Sequence, residues 1–117
     1  SLASISVLEK EADPAHVALL GRQLRSGLER LQEKYAVIGD VRGMGLMQGL
    51  ELVNDRQSKE PSPQATQKLF EATRALGLLI GKGGLYGNVI RISPPMTASE
   101  EDVYIALNLL DRAFASI

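Results

Sequence analysis

From Pro14 to Tyr35 the apolar residues Val17, Leu20, Leu24, Leu28, Leu31 and Tyr35 recur at the spacing of one helix face. Asp13 and Pro14 supply an N-cap and a first helical position, so a helix is predicted there. The pattern then changes. In VIGDVRGMGLMQGLELV (residues 37–53), Gly39, Gly43, Gly45 and Gly49 oppose helix, whereas Val37, Ile38, Val41, Leu46, Leu50 and Leu52 suit strands. Two strands joined by a Gly43-Met44-Gly45 turn are predicted. NDRQSKEPSP (residues 54–63) is polar and proline-ended, which predicts a surface loop. Leu69, Thr73 and Leu76, beside Phe70 and Ala72, predict a short amphipathic helix over 64–76, closed by Gly77. LLIG (78–81) and VIRI (89–92) read as two further short strands, separated by KGGLYGN. A last helix starts near Ser99 and carries Val103, Ala106, Leu107, Leu110, Ala113, Phe114 and Ile117 on one face. Thr97 with Glu100, or Ser99 with Asp102, supplies its capping box.

Helices and strands in this order predict an α+β domain: a small antiparallel or mixed sheet of about four strands, covered on one face by helices. Before it, Leu2, Ile5 and Leu8 or Glu9 show helical spacing with no cap, as though the helix were cut from a longer chain.

Composition narrows the function. With 117 residues the chain suits one domain with its own core. Lys plus Arg (13) nearly balances Asp plus Glu (14), and aromatic residues are 4%, which argues against nucleic acid as a partner. The absence of cysteine excludes disulfides, thiolate metal sites and Cys nucleophiles, and the single His16 excludes a histidine metal cluster within the chain. No apolar run approaches the ~20 residues of a membrane span and no signal pattern opens the sequence, so a cytoplasmic domain is expected.

Motifs of familiar chemistry are scarce. GMGLMQG misses the dinucleotide spacing G-x-G-x-x-G and runs into LELV, strand-like where a phosphate-binding helix should begin; a glycine hairpin is the plainer reading. GKGG lacks the P-loop frame, and Lys82 reads as solvated. His16, in the first turn of a helix, reads as packing or surface. No nucleophile stands near a base, and no catalytic residue is assigned. Arg91 stands out. Strand alternation sends Ile90 and Ile92 to the core face and Val89 with Arg91 to the other. A guanidinium there offers a rigid fork for a carboxylate, and Pro94-Pro95 fixes the backbone just beyond it. On spacing alone, an ordinary exposed arginine or surface ion pair is the better reading.

GDVRGMGLMQGLELV (39–53) and LLIGKGGLYGNVIRISPPMTASEEDV (78–103) resemble the C-terminal small domain of class-III pyridoxal-phosphate aminotransferases, with the alanine–glyoxylate aminotransferase 2 branch nearest in wording. That resemblance covers essentially the whole chain. It implies the small α+β domain of fold-type I enzymes over residues 13–117, with residues 1–12 ending a helix that links to a large domain. It implies an enzyme that moves an amino group from an amino acid or ω-amino acid to a 2-oxo acid through pyridoxal 5'-phosphate, to which this chain would contribute Arg91 as the group gripping the substrate carboxylate. The Schiff-base lysine and the other cofactor-binding groups would belong to the large domain; Lys10, Lys34, Lys59, Lys68 and Lys82 carry no such motif. The resemblance further implies a homodimeric parent, and a piece that binds no cofactor and is inactive alone. A free-standing carboxylate-binding or regulatory module, or a dimerisation module, would fit the residues without it.

Overall fold

The computed structural model of the chain describes residues 13–78, 80–83, 87–95 and 97–117. The expectations placed on residues 1–12, on Leu79 and on the side chain of Lys82 lie outside that description. Helix α1 spans Pro14–Lys34, capped at its start by Asp13, whose Oδ1 accepts from the Ala15 N–H at 3.2 Å. Strands β1 (Ile38–Met44) and β2 (Met47–Asp55) form an antiparallel hairpin, and the two-residue strand β3 (Glu60–Pro61) pairs back onto β2. Helix α2 (Pro63–Ala75), strands β4 (Gly81–Gly83) and β5 (Val89–Ile92), and helix α3 (Glu100–Ser116) complete the chain.

The main sheet runs β1-β2-β5-β4 and every pairing in it is antiparallel, which resolves the choice between antiparallel and mixed. Helices α1 and α2 pack on one face of this sheet, and α3 packs on both of them. Leu20, Leu24 and Leu28 of α1 meet Leu50 and Leu52 of β2, Ile90 of β5, Leu69 of α2, and Val103 and Leu110 of α3 in one buried cluster. The predicted helix stripes are therefore core, except at their margins. Leu107 only packs against the cluster's edge, and Ile117 is 41% exposed.

Three boundaries differ from the expectation. The hairpin turns at Gly45-Leu46, with Met44 opposite Met47, and not at Gly43-Met44-Gly45. Burial decides this: Leu46 is 7% exposed, dropping into the core, and Gly45 takes the positive φ (57°) at the first turn position, where two-residue hairpins favour glycine. Residues 54–63 are more structured than a loop. The Asp55 carbonyl accepts from the Lys59 N–H and its Oδ1 from the Gln57 N–H, closing a turn between β2 and β3. Ser62 then caps α2, accepting from the Ala65 N–H at 3.2 Å. Strand β4 begins at Gly81 because Leu78 is committed to the preceding helix: its N–H bonds the Thr73 carbonyl while Gly77, at φ 83°, bonds Arg74. That pair of bonds is a Schellman cap, with Leu76 the C-cap and Gly77 one residue beyond it. Of the two capping boxes offered for α3, Ser99–Asp102 is the one formed, at 3.0 and 2.9 Å.

Candidate functional site

Strand β5 lies inside the sheet, bonded to β2 on one side and β4 on the other. Ile90 and Ile92 point into the core (0% and 5% exposed), while Val89 is half-buried and Arg91 is exposed on the face away from the helices. The register places Arg91 opposite Gly49 of β2 and opposite Gly81 of β4, and Gly49 in turn opposite Arg42 of β1. Directly opposed residues share a face. One row across the open face thus reads Arg42, Gly49, Arg91, Gly81.

The two arginines of this row differ. Arg42 is engaged, its Nη2 2.9 Å from Glu51 Oε2. Arg91 forms no ion pair among the described residues, and its nearest cross-strand neighbours have no side chains to compete for its donors. A guanidinium so placed presents its paired N–H groups to an anion by two parallel bonds. Just past it, the Pro95 carbonyl accepts from the Ala98 N–H at 2.9 Å, tying the double proline to the approach of α3.

A second polar cluster joins the end of α1 to α3, and nothing in the sequence pattern announced it. The Tyr35 hydroxyl donates to Asp111 Oδ1 (2.5 Å) and Lys34 Nζ contacts both Asp111 oxygens (2.9 and 3.0 Å). The Tyr35 ring stacks on Phe114 with centroids 5.4 Å apart. The Tyr35 hydroxyl, then Lys34, hold the Asp111 carboxyl below its usual range; the Asp111 carboxylate raises both the Lys34 ammonium and the Tyr35 phenol. A phenol raised in this way keeps its proton at neutral pH and stays a hydrogen-bond donor to Asp111, so the cluster is a latch between helices. Its partners are 76 and 77 residues apart, which no local spacing can reveal.

The remaining candidates are structural. His16 donates Nε2–H to the Ala98 carbonyl at 3.0 Å, because a carbonyl can only accept; this pins α1 to the segment before α3. Gly43 and Gly45 belong to the hairpin, so the near-miss dinucleotide motif is a turn. No cluster of metal-ligating side chains occurs among the described residues. Nor is any helix among them long and apolar enough to cross a membrane.

Comparison with known proteins supplies the family. The profile of "Aminotransferase class-III" matches residues 1–114. Among curated proteins, alanine–glyoxylate aminotransferase 2 homolog 2, mitochondrial, of Arabidopsis thaliana is 41% identical over 116 residues, 99% of this chain and 24% of that protein. Taurine–pyruvate aminotransferase of Bilophila wadsworthia is 34% identical over all of this chain and 27% of its own length. Among solved structures, a phospholyase from Arthrobacter in complex with phosphoethanolamine superposes with a TM-score of 0.89 at 32% identity, over 99% of this chain and 28% of that one. An amine transaminase from an uncultivated Pseudomonas species, in its PLP-bound form, gives 0.83 at 35% identity, over 98% of this chain and 26% of that one. The chain spans about a quarter of the length of the relatives it matches.

Proposed function

Since the chain belongs to the class-III aminotransferases, we propose that it forms the substrate-gripping part of such an enzyme, with Arg91 holding the substrate carboxylate. The observation that carries this reading is Arg91 itself: exposed on the uncovered face of the sheet, without an ion-pair partner among the described residues, and flanked by glycines on both neighbouring strands. The parent enzyme transfers an amino group between an amino acid, or ω-amino acid, and a 2-oxo acid. Within it Arg91 binds and orients the anionic end of the substrate, which leaves the reacting amine or carbonyl at a fixed distance from the clamp.

The family implies pyridoxal 5'-phosphate in the parent, and the lysines whose side chains are described are not placed to hold it. Lys34 is bound to Asp111, and Lys59 and Lys68 are exposed on the surface. The Schiff-base lysine and phosphate-binding groups are assigned to a large domain that partners this one, residues 1–12 to a helix connecting the two, and the parent to a homodimer. On this reading residues 13–117 alone do not transaminate, and nucleic acid is not a partner. A cytoplasmic location belongs to the same reading; the Arabidopsis relative is named as mitochondrial, so fractionation of the source cell decides the compartment.

The test is Arg91→Lys in the complete enzyme, with L-alanine and ethylamine as amino donors that differ in the carboxylate. Lysine keeps the charge and loses the fork. A hydrogen bond to a charged group contributes roughly 1.5–3 kcal/mol, so kcat/KM for alanine should fall about 10- to 150-fold while that for ethylamine hardly moves. An unchanged ratio between the two donors would remove Arg91 from the site.

A further inference from the structure

The glycines of this chain divide by what demands them. Gly43, Gly45, Gly77 and Gly87 have positive φ (144°, 57°, 83° and 63°), where a side chain is strained whatever space surrounds it. Gly83 is different. Its backbone lies outside that region and would accept any residue. Yet a Cβ on Gly83 would stand 2.8 Å from both Cζ and Nε of Arg91, and would overlap Nη2. The guanidinium occupies the place where a side chain at 83 would be. Gly81, two residues earlier on the same strand, faces the Arg91 Cβ, its own added Cβ lying 3.5 Å away in ordinary contact.

We infer that Gly83 is the positioning residue for the substrate arginine: Arg91 runs its stem across Gly81 and seats its fork on the bare backbone of Gly83. This rests on the reading of Arg91 as the carboxylate clamp. An arginine has many rotamers, and a fork useful for bidentate binding must be held in few of them. Pro94-Pro95 restrains only the backbone beyond Arg91. The edge strand β4 restrains the side chain, by leaving a one-residue gap that the planar group fills. A methyl at 83 closes the gap, lifts the fork off the strand and displaces its two N–H groups by an ångström or more, enough to cost on the order of 100-fold in a positioned reaction.

The complete enzyme carrying Gly83→Ala, Arg91→Lys or both provides the experiment, again with L-alanine and ethylamine. Gly83→Ala should lower kcat/KM for alanine about 10- to 100-fold and spare ethylamine. Gly81→Ala and Gly49→Ala, whose added methyls meet only ordinary contacts, should lower it several-fold less. The double variant should be no worse than Arg91→Lys alone, because the methyl acts only through the fork. Losses that multiply in the double variant, or a Gly83→Ala enzyme with its alanine preference intact, would overturn the seat while leaving the clamp standing. Should Arg91→Lys itself leave the preference intact, the clamp falls first and the seat with it. If Gly83→Ala lowers Tm, Gly83→Ala with Arg91→Ala should restore it, since the methyl then has nothing to strike. A Tm that stays low in that pair means the methyl collides with something else, and the inference is wrong.

Discussion

Asp111 draws its three contacts through one carboxylate, and this sets how its contribution follows pH. Its carboxyl is lowered, so the stability it adds is present above the ordinary carboxylate range and is lost as pH falls through its depressed value. Lys34 and Tyr35 are both raised, so their share is complete below about pH 10 and is lost only as pH rises through their elevated values. The latch should therefore act fully from about pH 5 to pH 9. Asp111→Asn should lower Tm across that window, and the gap to the native chain should shrink by pH ~2, measured by thermal melts in a pH series. A gap as wide at pH ~2 as at neutrality would mean that the carboxylate's charge plays no part. Solvent reaches Lys34 and Asp111, whose side chains are 58% and 35% accessible, so added salt should narrow the gap at neutral pH. At this scale the exposure of Arg91 was readable from the sequence, since alternation puts it on the face away from Ile90 and Ile92. Gly83 was not. A glycine in KGGLYGN looks like loop flexibility until the side chain occupying its Cβ position is seen.

Between elements, two glycines of α1 have unlike neighbours, and propensity by itself would treat them alike. Replacing a helical glycine by alanine is worth about 1 kcal/mol in an open helix. Gly21 faces the backbone of the hairpin turn, where an added Cβ would lie 3.0 Å from both the carbon and the oxygen of the Gly45 carbonyl. Gly27 faces the tip of Leu107, a half-buried side chain that can swing aside. Gly21→Ala should thus destabilise by ~1–2 kcal/mol, the crowding outweighing the propensity gain. Gly27→Ala should fall within ~1 kcal/mol of the native chain, on either side. Urea unfolding of the two variants checks this, and equal shifts would show that the hairpin tip is not held against α1. The same contact explains where the sequence reading slipped. Polarity and glycine content locate a hairpin between residues 37 and 53, but the turn is fixed by which residue can be buried, and Leu46 is. The long periodic helices were legible because burial and period agree over five turns. The short strand β4 was displaced because the cap of α2 takes Leu78 first. Ser99 and Asp102, by contrast, form the capping box their spacing predicted, and Ser99→Ala should cost ~1 kcal/mol by the same unfolding measurement.

Taken whole, the molecule covers one face of its sheet with α1 and α2, backed by α3, and leaves the other to Arg42, Glu51, Val89 and Arg91, with Met44 and Met47 exposed at 85% and 70% beside the hairpin turn. A domain that buries its core on one side and displays a glycine-floored arginine on the other is suited to close a cleft against a second body, where the cofactor would be held. The family was legible in residues 39–53 and 78–103, whose wording the class-III match bears out. The proposed division of labour within the parent rests on that resemblance, because a clamp apart from its cofactor would leave no catalytic motif. That division predicts how the chain and its parent respond to pyridoxal phosphate. A cofactor linkage to lysine is specific only when the lysine is held beside bound cofactor in a site that shields both. Among the described residues, Lys34, Lys59 and Lys68 are exposed, and Lys34 has its ammonium on Asp111. Mixed with the cofactor, reduced with borohydride and mapped by mass spectrometry, the 117-residue chain should carry label thinly spread over several lysines. The complete gene product should carry about one label per subunit, on a lysine outside this chain. Quantitative labelling of a single lysine within residues 1–117 would overturn the division, and would place the cofactor site in the domain assigned here only the clamp.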